Sequence, residues 1–358
     1  MNTYSNYLLT RTKKDLIHLA KLHGMSGYSS MKKDELAQSL LKYLYTPSVI
    51  HNFFVYLRDD ELNMIHSPMS IHPTLYRRMY EGGYCLKKTD GQYQIPAQLK
   101  EYPMESFKKE RQRKSFLLDC LNASGQLYGC FPASILMKMY NTYAPSPLKL
   151  EDILQEVQEI PLYFQSFILE NDLIIQEALY ANDLYKKIQQ CQGTLPFYMP
   201  HKTEILYLSR FGYFPEDQYT GQLAEILADT TEITREKAQE LSGEIQALFR
   251  QGGTMEDAVI FLKKYARSQE HSTSKFSKSE APSPCYLADI LNAGIAEASG
   301  RKLLSALNNV FSHTALLLNR GYTAAEAIKL KKKKVKIYPN SPCPCGSGKK
   351  YKNCCGRR

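Results

Sequence analysis

The spacing of apolar residues along the chain predicts a protein built mainly of α-helices. Leu16, Leu19 and Ala20 recur at helical intervals with His23 on the same face. After a glycine-bearing break over residues 23–30, Leu36, Leu40 and Leu44 repeat the pattern, with Ser30 read as the N-cap of the second helix. Two such short helices bury little surface, so the pair is either a minimal module or leans on the next domain. Residues 49–57 and 75–80 are again amphipathic, and the short runs 84–88 and 92–96 flank Asp90-Gly91, a two-residue type I′ hairpin signal. A helix followed by a hairpin is what a winged helix requires. Its recognition stretch offers only Arg77 and Arg78, few for reading base edges.

Further along, the basic patch at residues 107–114 enters a helix over 115–122, and residues 127–131 read as a strand before a helix opened by Pro132. This resembles a second helix-turn-helix unit. Residues 153–185 read as helix, with Tyr163, Phe164 and Phe167 packing inward. A small bundle is expected from helices at 204–210, 220–227, 235–249 and 256–266, with Gln251-Gly-Gly253 ending one and a Thr254-x-x-Asp257 box starting the next. The expected organisation is therefore mainly α and modular. It comprises a helical pair (1–46), a winged-helix-like unit (47–105), a helical domain (106–200), a helical bundle (201–267), a polar linker (268–284), a helical segment (285–330), a basic linker (331–337) and a C-terminal knuckle (338–358).

Composition agrees with a globular protein: 358 residues, 43% hydrophobic and 23% charged. No run of 18 apolar residues suits a membrane span, and the N-terminus lacks the pattern of a secretory signal, which gives a cytoplasmic expectation. Net charge is +10, and its distribution changes the picture. From Ala327 to Arg358 there are 11 lysines or arginines and no acid, and residues 11–42 carry an excess of four positive charges. Basic ends around an acidic centre suit contact with a polyanion. The run Lys331 to Lys334 alone would equally serve to solubilise a linker.

Four of the nine cysteines fall in the last sixteen residues, as Cys343-x-Cys345 and Cys354-Cys355. Four thiolates so close together satisfy tetrahedral zinc with no open position, the pattern of a structural site. Adjacent Cys354 and Cys355 are poorly placed for a disulfide with each other. Gly346-Ser347-Gly348-Lys349 fails as a phosphate loop, since Cys343 stands where glycine is needed and Lys350 where serine or threonine is needed.

Residues 342–356, Pro-Cys-Pro-Cys-Gly-Ser-Gly-Lys-Lys-Tyr-Lys-Asn-Cys-Cys-Gly, resemble the SEC-C motif, a small zinc knuckle found at the C-terminus of the translocase ATPase SecA and at the ends of other bacterial proteins. The resemblance implies that Cys343, Cys345, Cys354 and Cys355 bind Zn2+, with Cys355 where many members carry histidine. It also implies a docking module, with the SecB chaperone and the ribosome as types of partner. At the other end, Lys14-Asp-Leu16, Leu19-Ala20, Gly24, Gly27-Tyr28 and Met31-Lys-Lys-Asp-Glu-Leu36 resemble the Rho termination factor N-terminal helical module, itself similar to SAP motifs. That resemblance implies phosphate contact by Lys13, Lys14, Lys32 and Lys33. The strand-rich RNA-binding domain that comes after this module in Rho has no counterpart here.

No local catalytic signature is present: no His-x-x-x-His, Gly-x-Ser-x-Gly, dinucleotide fingerprint or two-metal acidic cluster. His201 and Glu204 lie one turn apart and read as a surface contact, and Asp59-Asp60-Glu61 reads as a solvated helix end. The expectation is a non-enzymatic, zinc-binding adaptor that contacts RNA, DNA or the ribosome through its basic ends, where Lys349, Lys350 and Lys352 join the N-terminal lysines. The alternative is a protein scaffold whose tail docks a chaperone or translocation component.

Overall fold

The computed structural model describes residues 3–66, 79–87, 93–181, 183–212, 214–230, 233–273, 298–332, 338–341, 350–353 and 356–357. The described chain is mainly helical and buries its apolar residues in two principal cores.

The first three helices are α1 (Thr3–Thr10), α2 (Lys13–Leu22) and α3 (Lys33–Leu44). Thr12 and Asp15 form a reciprocal capping box: Asp15 N–H donates to Thr12 Oγ1 at 3.2 Å and Thr12 N–H donates to the Asp15 carboxylate at 3.2 Å. Helix α3 starts later than expected. Lys32, not Ser30, is its N-cap, and Glu35 reaches back to the Lys32 N–H at 3.3 Å. A turn held by Met31 N–H on the Tyr28 carbonyl occupies the chain where the sequence pattern starts the helix.

Leu16, Leu19, Leu36, Leu40 and Leu44 are all buried, as their spacing requires, but they do not close on each other alone. A single core runs from Leu8 to Leu208 and includes them. His23 donates from Nε2 to the Gly82 carbonyl at 2.7 Å and packs on Tyr84 and Tyr163. Burial pushes its pKa down to about 4, so the ring is neutral at physiological pH. The helical pair therefore leans on its neighbour. The joint is tight at Gly83, where φ is +77° and an added Cβ would lie 2.9 Å from Leu19 Cδ2. Gly83→Ala is expected to destabilise the protein by roughly 2 kcal/mol, from left-handed backbone strain plus overlap with Leu19, measured by urea unfolding.

Helices α4 (Pro47–Phe54) and α5 (Asp59–His66) come next, and strands β1 (Leu86–Lys87) and β2 (Tyr93–Gln94) pair antiparallel in the register Leu86↔Gln94. The hairpin strands sit where the alternating pattern placed them. Asp90-Gly91 and the Arg77–Arg78 recognition stretch of the expected winged helix lie outside the described residues.

The axis of the first core is α6 (Lys108–Tyr128), 21 residues long. It ends at Gly129 with φ +69°, and strand β3 (Cys130–Pro132) leads into α7 (Ala133–Tyr143) and α8 (Leu150–Glu159). The expected helix over 153–185 then fails. After Glu159 the chain makes an antiparallel hairpin of β4 (Phe167–Glu170) and β5 (Leu173–Gln176), and β3 completes a sheet in the order β3-β5-β4. The two-residue turn Asn171-Asp172 carries the hairpin: Asn171 adopts φ +56°, a conformation asparagine tolerates well. The inward placement of Tyr163, Phe164 and Phe167 holds despite the change of element.

Helices α9 (Leu184–Gln192) and α10 (Lys202–Phe211) complete this body, with α10 lying along α6 and adding Ile205 and Leu208 to the first core. The sequence pattern had placed α10 in the bundle instead. That bundle comprises α11 (Gln218–Thr230), α12 (Arg235–Arg250), α13 (Met255–Thr273) and α14 (Ala298–His313), the last standing where α10 was expected. The Thr254–Asp257 capping box forms as expected, with Asp257 N–H to Thr254 Oγ1 at 3.1 Å. Helix α13 runs on to Thr273, so residues 268–273 are helix rather than linker; 274–284 lie outside the described residues.

A loop after α14 keys the two cores together. Leu317 enters a small cluster with Cys130, Ile175, Tyr185 and Ile188. Gln192 Nε2 donates to the Tyr128 carbonyl at 2.9 Å and to the Leu317 carbonyl at 2.8 Å. The Arg320 guanidinium donates to the carbonyls of Gly193 and Leu195, and Tyr198 N–H donates to the Arg320 carbonyl. Helix α15 (Ala324–Lys332) then leads toward the tail and takes in Lys331 and Lys332, expected in the basic linker. No described helix is long and apolar enough to cross a membrane.

Candidate docking tail and an internal charge network

The tail is short enough that backbone bonds define most of its described geometry. Ser341 N–H donates to the Tyr338 carbonyl at 2.9 Å, turning the chain just before the first cysteine pair. Tyr351 N–H donates to the Ser341 carbonyl at 2.8 Å and Lys352 N–H to the Pro339 carbonyl at 2.9 Å. These bonds bring the approach to Cys343 and Cys345 against the approach to Cys354 and Cys355. Gly356 N–H returns to the Tyr351 carbonyl at 2.8 Å, closing the end of the tail. A Cβ at Gly356 would lie 2.7 Å from the Tyr351 ring, so only glycine fits this closure. Cys343, Cys345, Cys354, Cys355 and Lys349 lie outside the described residues. Among the described residues no group of three or more histidine, cysteine or acidic side chains is arranged to hold a metal.

Residues 340–357 match the SEC-C motif. The chain is also locally similar to protein translocase subunit SecA from several bacteria, over a different aligned stretch in each case. It is 52% identical over 40 residues to that of Syntrophus aciditrophicus, covering 11% of this chain and 5% of that protein. The Lachnoclostridium phytofermentans subunit is 58% identical over 38 residues, covering 11% of this chain and 4% of that protein. For Finegoldia magna the identity is 82% over 22 residues, covering 6% of this chain and 2% of that protein. This chain thus shares with the curated relatives only about a twentieth of their length, and these likenesses take in about a tenth of the chain. No solved structure matches the chain.

The donor set of the SEC-C segment suits zinc. Four cysteines in two pairs, on a segment whose flanks the Tyr351–Ser341 bond draws together, are a donor set of the kind a tetrahedral thiolate site takes. Lys350 and Lys352 are exposed beside it.

At the opposite end, Lys13 and Lys14 open α2, and Lys32 and Lys33 open α3. All are exposed except Lys33, which is half-buried. Two of the three acids among them are engaged in capping: hydrogen bonds from Thr12 hold the Asp15 carboxyl below its usual range, and Glu35 accepts from the Lys32 backbone; Asp34 is exposed beside Lys33. Both lysine pairs thus stand at the positive ends of helix dipoles.

The acidic run that reads as a solvated helix end is a charge network. Arg58 donates to Asp119 Oδ1 at 2.8 Å, to Glu61 at 3.3 Å and to Asp60 at 3.3 Å. Arg210 pairs with Asp60, and Arg111, only 1% exposed, pairs with Asp59. Ser209 Oγ donates to Asp119 Oδ1 at 2.6 Å, and Asn122 Nδ2 donates to Ser209 Oγ at 3.4 Å. Lys114 completes the line with Glu156 at 3.1 Å and Glu159 at 3.2 Å. Burial of Asp119 outweighs the pull of Arg58 and raises its pKa to about 6. Burial opposes the Arg58 charge, but Glu61, Asp119 and Asp60 together hold its pKa above the usual value. The network ties α5 to α6 and α10. Only the contiguous Arg58-Asp-Asp-Glu61 pattern signals it in the sequence; Asp119, Ser209 and Arg210 carry no local mark.

Glu204, paired with His201 in sequence terms, also turns inward. It accepts from the Tyr198 hydroxyl at 3.0 Å, and its burial raises its pKa.

Proposed function

We propose that the protein is an adaptor in which a helical body carries a zinc-folded SEC-C tail as its docking module, with nucleic acid or the ribosome as the target. The observation that carries this reading is the SEC-C match at residues 340–357, on a segment whose described backbone bonds close on one another. Cys343, Cys345, Cys354 and Cys355 would hold the metal. Zinc bound by four thiolates supplies folding energy and no open coordination position for catalysis. The polyanion reading is supported by the exposed Lys350 and Lys352 and by the lysine pairs at the starts of α2 and α3.

A salt titration of binding to single-stranded RNA tests it. Changing Lys13, Lys14, Lys32 and Lys33 together to alanine, or Lys349, Lys350 and Lys352 together, is expected to flatten the salt slope by roughly one unit per lost phosphate contact. An unchanged slope in both variants would remove nucleic acid as the target. A second reading has its own support: the motif is shared with translocase subunits. In that case the tail docks a protein, and retention of partner depends weakly on salt.

A further inference from the structure

Beside the charge network lies a cleft of 820 Å³, within the size range of small-ligand sites. Three helices begin at its rim: Asp59 opens α5, Lys109 is the second residue of α6 and Lys202 opens α10, and all three side chains line the cleft. His201, the N-cap residue of α10, makes no side-chain cap, so the first-turn amides of that helix remain available to an anion, whereas at α6 the Lys108 N–H is already taken by the Glu105 carbonyl.

The charges around the cleft do not cancel. Asp59 is matched by Arg111, Asp119 by Arg58, and Arg113 by Glu156, while Glu110 faces His51 at 3.2 Å. Lys109 and Lys202 have no carboxylate partner among the described residues and stand on two different helices. Two uncompensated cations, one of them at the open start of α10, suit a doubly charged group better than a single carboxylate. The wall is aromatic, formed by Phe116, Tyr140 and Tyr143, with Lys202 Nζ 5.1 Å from the Phe116 ring centre. Deeper in, Asp119 spends Oδ1 on both Arg58 and Ser209, and its Oδ2 has no hydrogen-bond partner among the described residues. A cation pair, aromatic walls and a carboxylate oxygen open to the cleft are three separate demands on one ligand.

We propose that this cleft binds a nucleotide, its phosphate between Lys109 and Lys202, its base against Phe116 and Tyr143, and a base N–H directed at Asp119 Oδ2. The phosphate supplies the dianion, the base the flat face and the donor. A free nucleoside monophosphate and the 5′-phosphorylated end of a single RNA strand share this chemistry. The site is independent of the SEC-C tail and of any docking by it.

The test is calorimetric titration of the full-length protein with GMP, AMP, inorganic phosphate and a 5′-phosphorylated twelve-nucleotide single-stranded RNA. GMP or AMP is expected to bind saturably. The Lys109→Ala/Lys202→Ala variant should lose at least tenfold in affinity with an unchanged melting temperature, since both side chains are exposed. Phe116→Leu should weaken the nucleotide but not inorganic phosphate. RNA that competes with GMP and binds more tightly would place the site on a strand, and GMP binding without RNA competition would make it a free-nucleotide site; both support the proposal. Inorganic phosphate binding as tightly as GMP, an unchanged affinity in the double-lysine variant, or no saturation by either nucleotide at millimolar concentration overturns it. Cys345→Ser should leave nucleotide affinity intact, which separates this outcome from that of the tail.

Discussion

Asp119→Ala is expected to lower the stability of the body by roughly 3 kcal/mol at neutral pH. The carboxylate is buried, takes the shortest bond of the Arg58 fan at 2.8 Å, and is the acceptor for Ser209. Its loss leaves a buried hydroxyl without an acceptor and an arginine with only Asp60 and Glu61, and opens space between α6 and α10. Urea unfolding measures the effect, and a change below about 1 kcal/mol would show that the network is not a fastening of the fold. Asp119→Asn gives a second signature through pH. The carboxyl titrates near 6 when folded against an ordinary 3.8, so the folded state binds its proton more tightly than the unfolded chain does. Its contribution to stability is therefore fully present below about pH 4, declines as pH rises toward 6, and is constant above. The wild type should lose roughly 3 kcal/mol relative to Asp119→Asn across that window. Parallel stability curves for the two proteins would assign the carboxyl an ordinary pKa.

The second large effect belongs to the tail. Cys345→Ser, or zinc chelation of the wild type, is expected to unfold residues 338–358 locally, because a segment this small has almost no core and metal binding supplies on the order of 10 kcal/mol of its folding. The melting temperature of the body should not move, since the described backbone bonds of the tail run only within it. Zinc content by atomic absorption and protease sensitivity of the tail are the measurements. One zinc per chain in the serine variant, or an unchanged cleavage pattern, would dismiss the four-cysteine assignment.

How much of this was legible in the sequence depended on whether the cue was local. The α2–α3 face, the Thr254 capping box and the β1–β2 pairing were readable because their signals lie within a dozen residues of one another. The SEC-C resemblance was readable for the same reason. The β4–β5 hairpin was misread because Phe167-Ile-Leu and Leu173-Ile-Ile are continuous apolar runs without alternation, and such short runs suit a buried strand or a buried helix equally. Asn171-Asp172 was the available turn signal, weaker than Asp90-Gly91 because it lacks the glycine. The placement of α10 on α6 rather than in the bundle rests on which apolar faces match across 80 residues of sequence. The charge network was opaque for a related reason. Asp59 is exposed as the charge pattern of a helix start predicts, and it is the arrival of Asp119 and Ser209 from α6 and α10 that draws Arg58 and Glu61 inward.

The loop that keys the two cores has a consequence for how the chain is made. Gln192 and Leu317, which share a hydrogen bond, are 125 residues apart. The carbonyls of Gly193 and Leu195 receive the Arg320 guanidinium only once that residue exists. A chain growing from its N-terminus can assemble its local helices early, but the small cluster beside the first core stays unsealed until Leu317 has been made. Cys130, Ile175, Tyr185 and Ile188, left without Leu317 until then, form an apolar patch on the nascent protein. The interval between their emergence and that of Leu317 is when the unfinished chain is most exposed to misassociation, and translation speed through the bundle sets its duration.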